Sequence, residues 1–491
     1  VISPLSAQPA QRAAATITES DFRRRINIIA DDSMGGRDTP SPGLESTAQY
    51  LAREFARMGL KPAGDSGYFQ RYGVWLRDLD TTGSTISFSD QAVTRVTLEL
   101  GRDAKLMNGA PAPDLAGELV LAGGPITATT SFDPAVIRGR ILVWAADYAK
   151  TMPSLGQILI AAANAGASLL VVSVNSDSAF AALRQGGKGI VVAESVGWPA
   201  VLAVRESAIL AAVPEAADGL TAARTAAAPM PTAVPWVGRL NLRYSRNDRT
   251  AVPNVVAMVP GTDPVLRDEY LVYSAHFDHV GSRCRGSTEA DRICNGADDN
   301  GSGTTGLLEL AEAFAHRDAK PRRSVLFVGV SGEERGLWGS EYFARNPTVP
   351  IDRIVANINM DHLGRNWRDS IVVIGREHSD LGQTVDQVAA ANPGLGVGVL
   401  PDQWPNERIY FRSDHYNFAR EGVPILFFTN GFHPDYHAVT DSPDKIDAEK
   451  GARVVRLIFH TGLAIANRTE RPKWNPESER QIVRRRSAPV P

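Results

Sequence analysis

Cysteine is nearly absent from this chain, with only Cys284 and Cys294 among 491 residues. Two thiols ten positions apart make a poor structural zinc site. Charge of one sign is lacking as well. A formal net charge of −3 predicts no binding to nucleic acid and none to a membrane surface. Long apolar runs are missing. The nearest, Gln157 to Val174, is broken by Asn164, Gly166 and Ser168. It reads as helix, turn and strand and predicts no bilayer span. What is present is length enough for about two or three domains with a large core.

The chemistry-bearing residues sit at the ends of apolar runs. Leu271–Ala275 ends in His276, and Ser324–Val330 leads into Ser331, Gly332, Glu333 and Glu334. Ile354–Met360 ends in Asp361, while Val423–Phe428 leads towards His437. Runs of this kind, alternating with amphipathic segments, predict buried strands of an α/β sheet. Open α/β sheets gather their sites beyond the carboxyl ends of strands. A fifth group, Asp299, lies in the Gly-rich stretch Gly296–Gly303, which opens the helix-like Thr304–Phe314. Glycine permits a sharp backbone path there, and a helix start tolerates negative charge. Two imidazoles and three carboxylates exceed the needs of one zinc and suit two divalent metals sharing a carboxylate. Glu333, beside Glu334, is free to move protons. The set predicts hydrolysis by a metal-activated water.

Five segments carry a family resemblance: Ser274–Asp278, Gly296–Gly303, Gly332–Ser340, Asn359–Asp361 and Asp435–His437. Through them the chain, over about residues 20–90 and 235–470, resembles the co-catalytic zinc exopeptidases. These include secreted bacterial leucyl-type aminopeptidases and glutamate carboxypeptidase II. The resemblance implies a mixed-sheet α/β/α catalytic domain of the phosphorylase/hydrolase-like kind. It also implies two zinc ions and peptide substrates. His276 and Asp361 would bind one zinc, Glu334 and His437 the other, and Asp299 would bridge both. Asp298 is the competing bridge, but the family pattern matches Asp299. Asp278 would orient His276, Glu333 would be the general base, and Tyr410, upstream of Ser413–His415, would help hold the oxyanion. His279 and His433 stand close enough in sequence to compete as ligands, and His362 follows one. Arg408 and Arg412, flanking Tyr410, keep a carboxypeptidase or dipeptidase reading open beside the aminopeptidase one, because a terminal carboxylate needs a cation.

Between the two matching stretches the pattern changes. Gly117–Leu121 and Arg140–Trp144 read as short strands, Gln157–Ala167 as a small-residue helix, and Ala216–Pro235 as an Ala/Thr/Pro-rich linker. Gly139–Val143, Ala163–Ala167 and Trp198–Val201 resemble the protease-associated domain inserted in many members of that family. The expected division is a leader or disordered stretch 1–19, catalytic residues 20–90, an insertion 91–235, catalytic residues 236–475 and a tail 476–491. The chain starts at Val1, and Val1–Ala15 reads as the remnant of a secretion signal or a disordered leader. Arg484–Arg486 reads as part of a frayed tail. Cys284 and Cys294, both in the loop from His276 to Asp299, read as a disulfide. That pairing predicts an oxidising location, secreted or periplasmic.

Overall fold

Seven consecutive residues from Tyr270 to His276, all but the first buried, leave no face for water. Such a run is stable only in a sheet covered on both sides. The computed structural model describes residues 4–90, 93–109, 111–127, 130–147, 155–194 and 199–483. Trp198, Arg484–Arg486 and Val1–Ser3 lie outside the described residues. The protein is mixed α/β and divides into two units. One comprises the chain up to Tyr72 and from Ala251, the other Gly73–Thr250.

The sheet of the first unit includes the strands β1 (Thr232–Val259), β2 (Tyr270–His276), β3 (Ser324–Val330), β4 (Ile354–Met360), β5 (Ser370–Ile374), β6 (Gly398–Leu400) and β7 (Ile425–Thr429). Their order is β6-β5-β7-β4-β2-β3-β1. The central strands β3, β2, β4 and β7 run parallel, with β1 antiparallel to β3 and β5 antiparallel to β7. His276 pairs in register with Val330, and Ser274 with Asn359. The carboxyl ends of β2, β3 and β4 therefore share one edge, as the apolar runs predict.

Helices Gly303–Ala315 and Ala448–Asn467 pack against the sheet through aromatic rings. Phe327 of β3 stacks on Tyr273 of β2 at 5.6 Å between centroids and meets Phe314 at 6.0 Å and Phe55 at 6.4 Å. Gly462 admits the Tyr273 ring, since a Cβ there would fall 1.6 Å from its hydroxyl oxygen. A further helix spans Pro42–Arg57. Ser41 caps it through the Leu44 N–H.

In the second unit, strands Asp114–Gly123, Ile141–Ala146, Leu169–Val174 and Ala200–Arg205 form a parallel core. Ala104–Asn108 pairs antiparallel at one side and the first part of β1 at the other. Alternate residues of Ile141–Trp144 enter apolar clusters on opposite faces, Ile141 and Val143 on one and Leu142 and Trp144 on the other.

Four expectations change. Ala216–Thr225, expected in a linker, is a helix. Its alanines favour that state and Leu220 finds an apolar surface to bury. The Thr232–Pro235 part of that stretch already belongs to β1. Pro4–Ala14, expected as leader or disorder, is a helix that packs on Gly303–Ala315 and Ala448–Asn467. Ala13 and Ala14 are buried, and Arg12 pairs with Asp318 at 2.7 Å. Pro476–Ile482, expected in the tail, is also helical and is capped by Asn475. Finally, the chain passes from one unit to the other at 72/73 and 250/251. The expected divisions at 90/91 and 235/236 fall at the end of the strand Phe69–Asp90 and inside β1. Strands of 22 and 28 residues carry the chain across both unit boundaries.

Because Phe327 is wholly buried among three other rings, Phe327→Ala should destabilise its unit by about 3–5 kcal/mol. Urea unfolding followed by circular dichroism measures this, and a midpoint unchanged from wild type would contradict the packing.

Candidate metal centre

The Asp299 carboxylate presents its two oxygens to two different sets of side chains. Oδ1 lies 3.6 Å from His276 Nε2, which is itself 3.4 Å from Asp361 Oδ1. Oδ2 lies 3.0 Å from His437 Nε2, which is 3.1 Å from Glu334 Oε2. The five residues expected as ligands are thus brought together, with Asp299 between the two sets. His279 joins the second set, its Nδ1 2.8 Å from Glu334 Oε1 and 3.8 Å from Asp299 Oδ2.

Each ligand is held by groups on other elements. Ser413 donates to Asp361 Oδ2 at 3.1 Å and accepts from Asn359 Nδ2 at 3.0 Å. Asn359 in turn accepts from Ser274 at 2.7 Å. This chain across β2 and β4 leaves Asp361 Oδ1 to face His276. His276 Nδ1 lies 3.2 Å from the Asp278 carbonyl and 3.7 Å from its carboxylate, so the main chain is the nearer orienting partner. The Asp278 carboxylate accepts instead from the Glu333 N–H at 3.2 Å and the Thr39 hydroxyl at 3.1 Å. It fixes the start of the Glu333–Glu334 loop.

Several residues passed over in the sequence do comparable work. Asp441 accepts the N–H groups of Asp298 and Asp299, each at 3.1 Å. Buried Arg37 donates to the carbonyls of Ile29, Phe277, Asn295 and Gly296, pinning both flanks of the Cys-containing loop. Burial lowers its guanidinium to about 10. Arg285 clamps the segment around His437. Its N–H donates to the His437 carbonyl at 2.8 Å, its carbonyl accepts from Val439 at 2.9 Å, and its guanidinium donates to the carbonyls of Pro434 and Tyr436. His437 holds a left-handed backbone, φ 50°, that such bonds must maintain. The expected disulfide is present beside this clamp, joining Cys284 to Cys294 with Cα atoms 5.9 Å apart. No local pattern marks Arg285 in the sequence, since its partners lie about 150 positions away.

Tyr410 is placed differently from the expectation. It is buried in the apolar cluster around Phe418 and Ile425, and its hydroxyl has no hydrogen-bond partner. Its ring stands edge-on to His378 at 4.7 Å and to His415 at 5.4 Å. The short helical turn Ile409–Phe411 directs it inward. Tyr436 lines the cleft instead, beside Asp299, Glu333 and Asp361, and stacks on His437 at 4.0 Å. Arg412 lines the same cleft, over Phe432 at 4.8 Å. Arg408 covers Phe411 at 4.9 Å.

The charge balance of the centre calls for cations. Burial opposes charge on His437, yet Asp299 and Glu334 raise it to about 10. His276 is raised likewise against burial by Asp361 and Glu333. Burial would push the Asp299 carboxyl up, but the imidazoles around it take it well below its usual value. Burial, with Glu334 and Asp361 nearby, raises Glu333 well above the ordinary carboxylate range. His276 Nε2, His437 Nε2 and Asp361 Oδ1 are buried without hydrogen-bond partners. Imidazole nitrogens and carboxylate oxygens left so in a negative pocket suit zinc.

Arg285→Ala should weaken zinc binding at the His437 set by about 10- to 100-fold while sparing the His276 set. Stepwise competition with a chromophoric chelator resolves the two affinities; equal loss at both, or none, would contradict the clamp.

Residues 254–462 match the model of peptidase family M28. A probable zinc metalloprotease of Leptosphaeria maculans is 27% identical over 209 residues, covering 36% of this chain and 46% of that protein. A probable leucine aminopeptidase of Arthroderma otae is 26% identical over 225 residues, covering 44% of this chain and 58% of that one. The chain thus spans about half the length of these relatives. An aminopeptidase structure from Aneurinibacillus sp. strain AM-1 aligns over 92% of this chain and 95% of its own, with 18% identity and a TM-score of 0.49. The matched residues carry all five groups of the two sets, and over them the chain is similar to peptidase family M28.

Proposed function

We propose that this chain is an exported two-zinc exopeptidase that removes residues from the amino end of peptides. The observation that carries the reading is the division of Asp299 between two ligand sets, one oxygen to each. The zinc metalloprotease and leucine aminopeptidase names of the relatives support the metal and the reaction class. The disulfide supports export, since such bonds persist in oxidising compartments. Residues Gly73–Thr250 would be the protease-associated module that the resemblance implies.

Two zinc ions would polarise the scissile carbonyl and bring the pKa of an attacking water towards about 7. The chain's own groups account for the rest. Glu333, its carboxyl raised by burial, accepts the water's proton and returns it to the leaving amine. Asp278 fixes the backbone from which Glu333 projects. Tyr436, at the wall of the cleft, takes the place beside the scissile carbonyl that the sequence assigns to Tyr410. Ile409, Phe427 and Phe432 give the cleft an apolar side.

One observation favours a second reading. Arg412 lines this cleft with its side chain 43% exposed, over Phe432 and 3.4 Å from Glu407. Such a cation would receive a terminal carboxylate, as a carboxypeptidase or dipeptidase requires.

Paired short peptides, one blocked at the amino end and one at the carboxyl end, separate the readings. Cleavage that requires a free amino end is expected. Cleavage that requires a free carboxyl end would move the assignment to Arg412. Glu333→Gln should keep its zinc and lose about 100- to 10,000-fold in kcat; unchanged turnover would remove Glu333 as the base.

A further inference from the structure

A third group of ligand atoms lies against the two sets and has no part in the exopeptidase reading. Asp298, His362 and His433 are all buried, and one donor atom from each lies within 4.8 Å of the others. Asp298 Oδ1 accepts the Gly364 N–H at 2.6 Å, which leaves Oδ2 without a hydrogen-bond partner. His433 Nε2 is 3.4 Å from that oxygen, and neither nitrogen of its ring is hydrogen-bonded. His362 Nδ1 lies 2.8 Å from the Gly431 carbonyl. A carbonyl only accepts, so Nδ1 carries a hydrogen and Nε2 is the nitrogen turned towards the carboxylates. This is the device by which metal-binding histidines are oriented. His362 Nε2 also faces Asp299 Oδ1 and Asp361 Oδ1, each at 3.5 Å.

Buried donors and acceptors in this state are costly unless something lies between them. Their spacing indicates what. The 3.4 Å between His433 Nε2 and Asp298 Oδ2 exceeds the roughly 2.7–3.2 Å of an N–H···O hydrogen bond. It matches the edge of about 3.4 Å in a tetrahedron of ligands around zinc, and His362 closes the group within 4.8 Å. The same edge recurs between His276 and Asp361, at 3.4 Å. By contrast His279 and Glu334, 2.8 Å apart, sit at hydrogen-bond distance. The surroundings close the position. His433 lies 6.0 Å and Tyr436 5.5 Å from the His362 ring, and Phe432 meets it edge-on.

We propose that the chain holds a third divalent cation, between Asp298, His362 and His433. Two imidazoles and one carboxylate make it a zinc-type site. The cation would neutralise Asp298 directly beside Asp299 and so stiffen the turn on which the two other sets depend.

Zinc counting tests this. Full-length protein is stripped with chelator, reloaded from a zinc buffer and desalted, and its zinc is measured per chain by plasma mass spectrometry. Wild type should retain three equivalents, and His433→Ala two. His433→Gln, which keeps a polar side chain of similar reach, should also retain two and serves if the alanine variant fails to fold by circular dichroism. Two equivalents in wild type would overturn the third site alone, and fewer than two would overturn the two-zinc reading as well. Three equivalents in a folded His433 variant would show the extra zinc to lie elsewhere and would also overturn the proposal.

Discussion

A buried carboxylate that must serve two partners at once is the constraint around which this centre is built. Asp299 is 3% exposed and is nearly surrounded by imidazoles. Shifting its turn by a fraction of a hydrogen-bond length would favour one ligand set and lose the other. The neighbouring bonds are therefore directed at the backbone of that turn. Asp441 takes two of its N–H groups from one side, and Arg37 takes the Asn295 and Gly296 carbonyls from the other. The fold holds the carboxylate by its main chain and leaves both oxygens for function.

The parallel strands supply the remaining precision. Register places His276 level with Val330, and Ser274 level with Asn359, so side chains beyond the sheet edge start from fixed heights. The Ser274–Asn359–Ser413–Asp361 hydrogen-bond chain crosses that edge and turns strand register into carboxylate orientation. His437 has no strand to deliver it, because it lies eight positions beyond the end of β7. Arg285 and the adjoining disulfide stand in for one. A short bridge of paired backbone between Arg285 and Ala438 does what a ladder does elsewhere.

Much of this is legible in the sequence, for a physical reason. A residue directly after an uninterrupted apolar run must emerge at the end of a buried strand, and parallel strands bring such ends together. His276, Glu334 and Asp361 follow from that alone. Asp299 and His437 lie off the strands, and there the family motifs carry the assignment. The groups that escape notice act through bonds spanning long stretches of chain. Arg37 reaches Phe277 across 240 positions, and Arg285 reaches Tyr436 across 151. Tyr410 shows the opposite failing. Its place in a motif predicts its neighbourhood correctly, but the direction of one side chain in a short helical turn depends on packing against His378 and His415. The helices at Pro4–Ala14 and Ala216–Thr225 are hidden for a related reason. Small residues give a weak periodic signal, and tertiary burial completes the helix.

The most direct test of the central claim is the anomalous scattering of zinc-loaded crystals, measured on both sides of the zinc absorption edge. Two peaks about 3.5–4 Å apart, each beside one oxygen of Asp299, are the expected result. A single peak, or a pair in which Asp299 touches only one, would contradict the shared carboxylate on which the account rests.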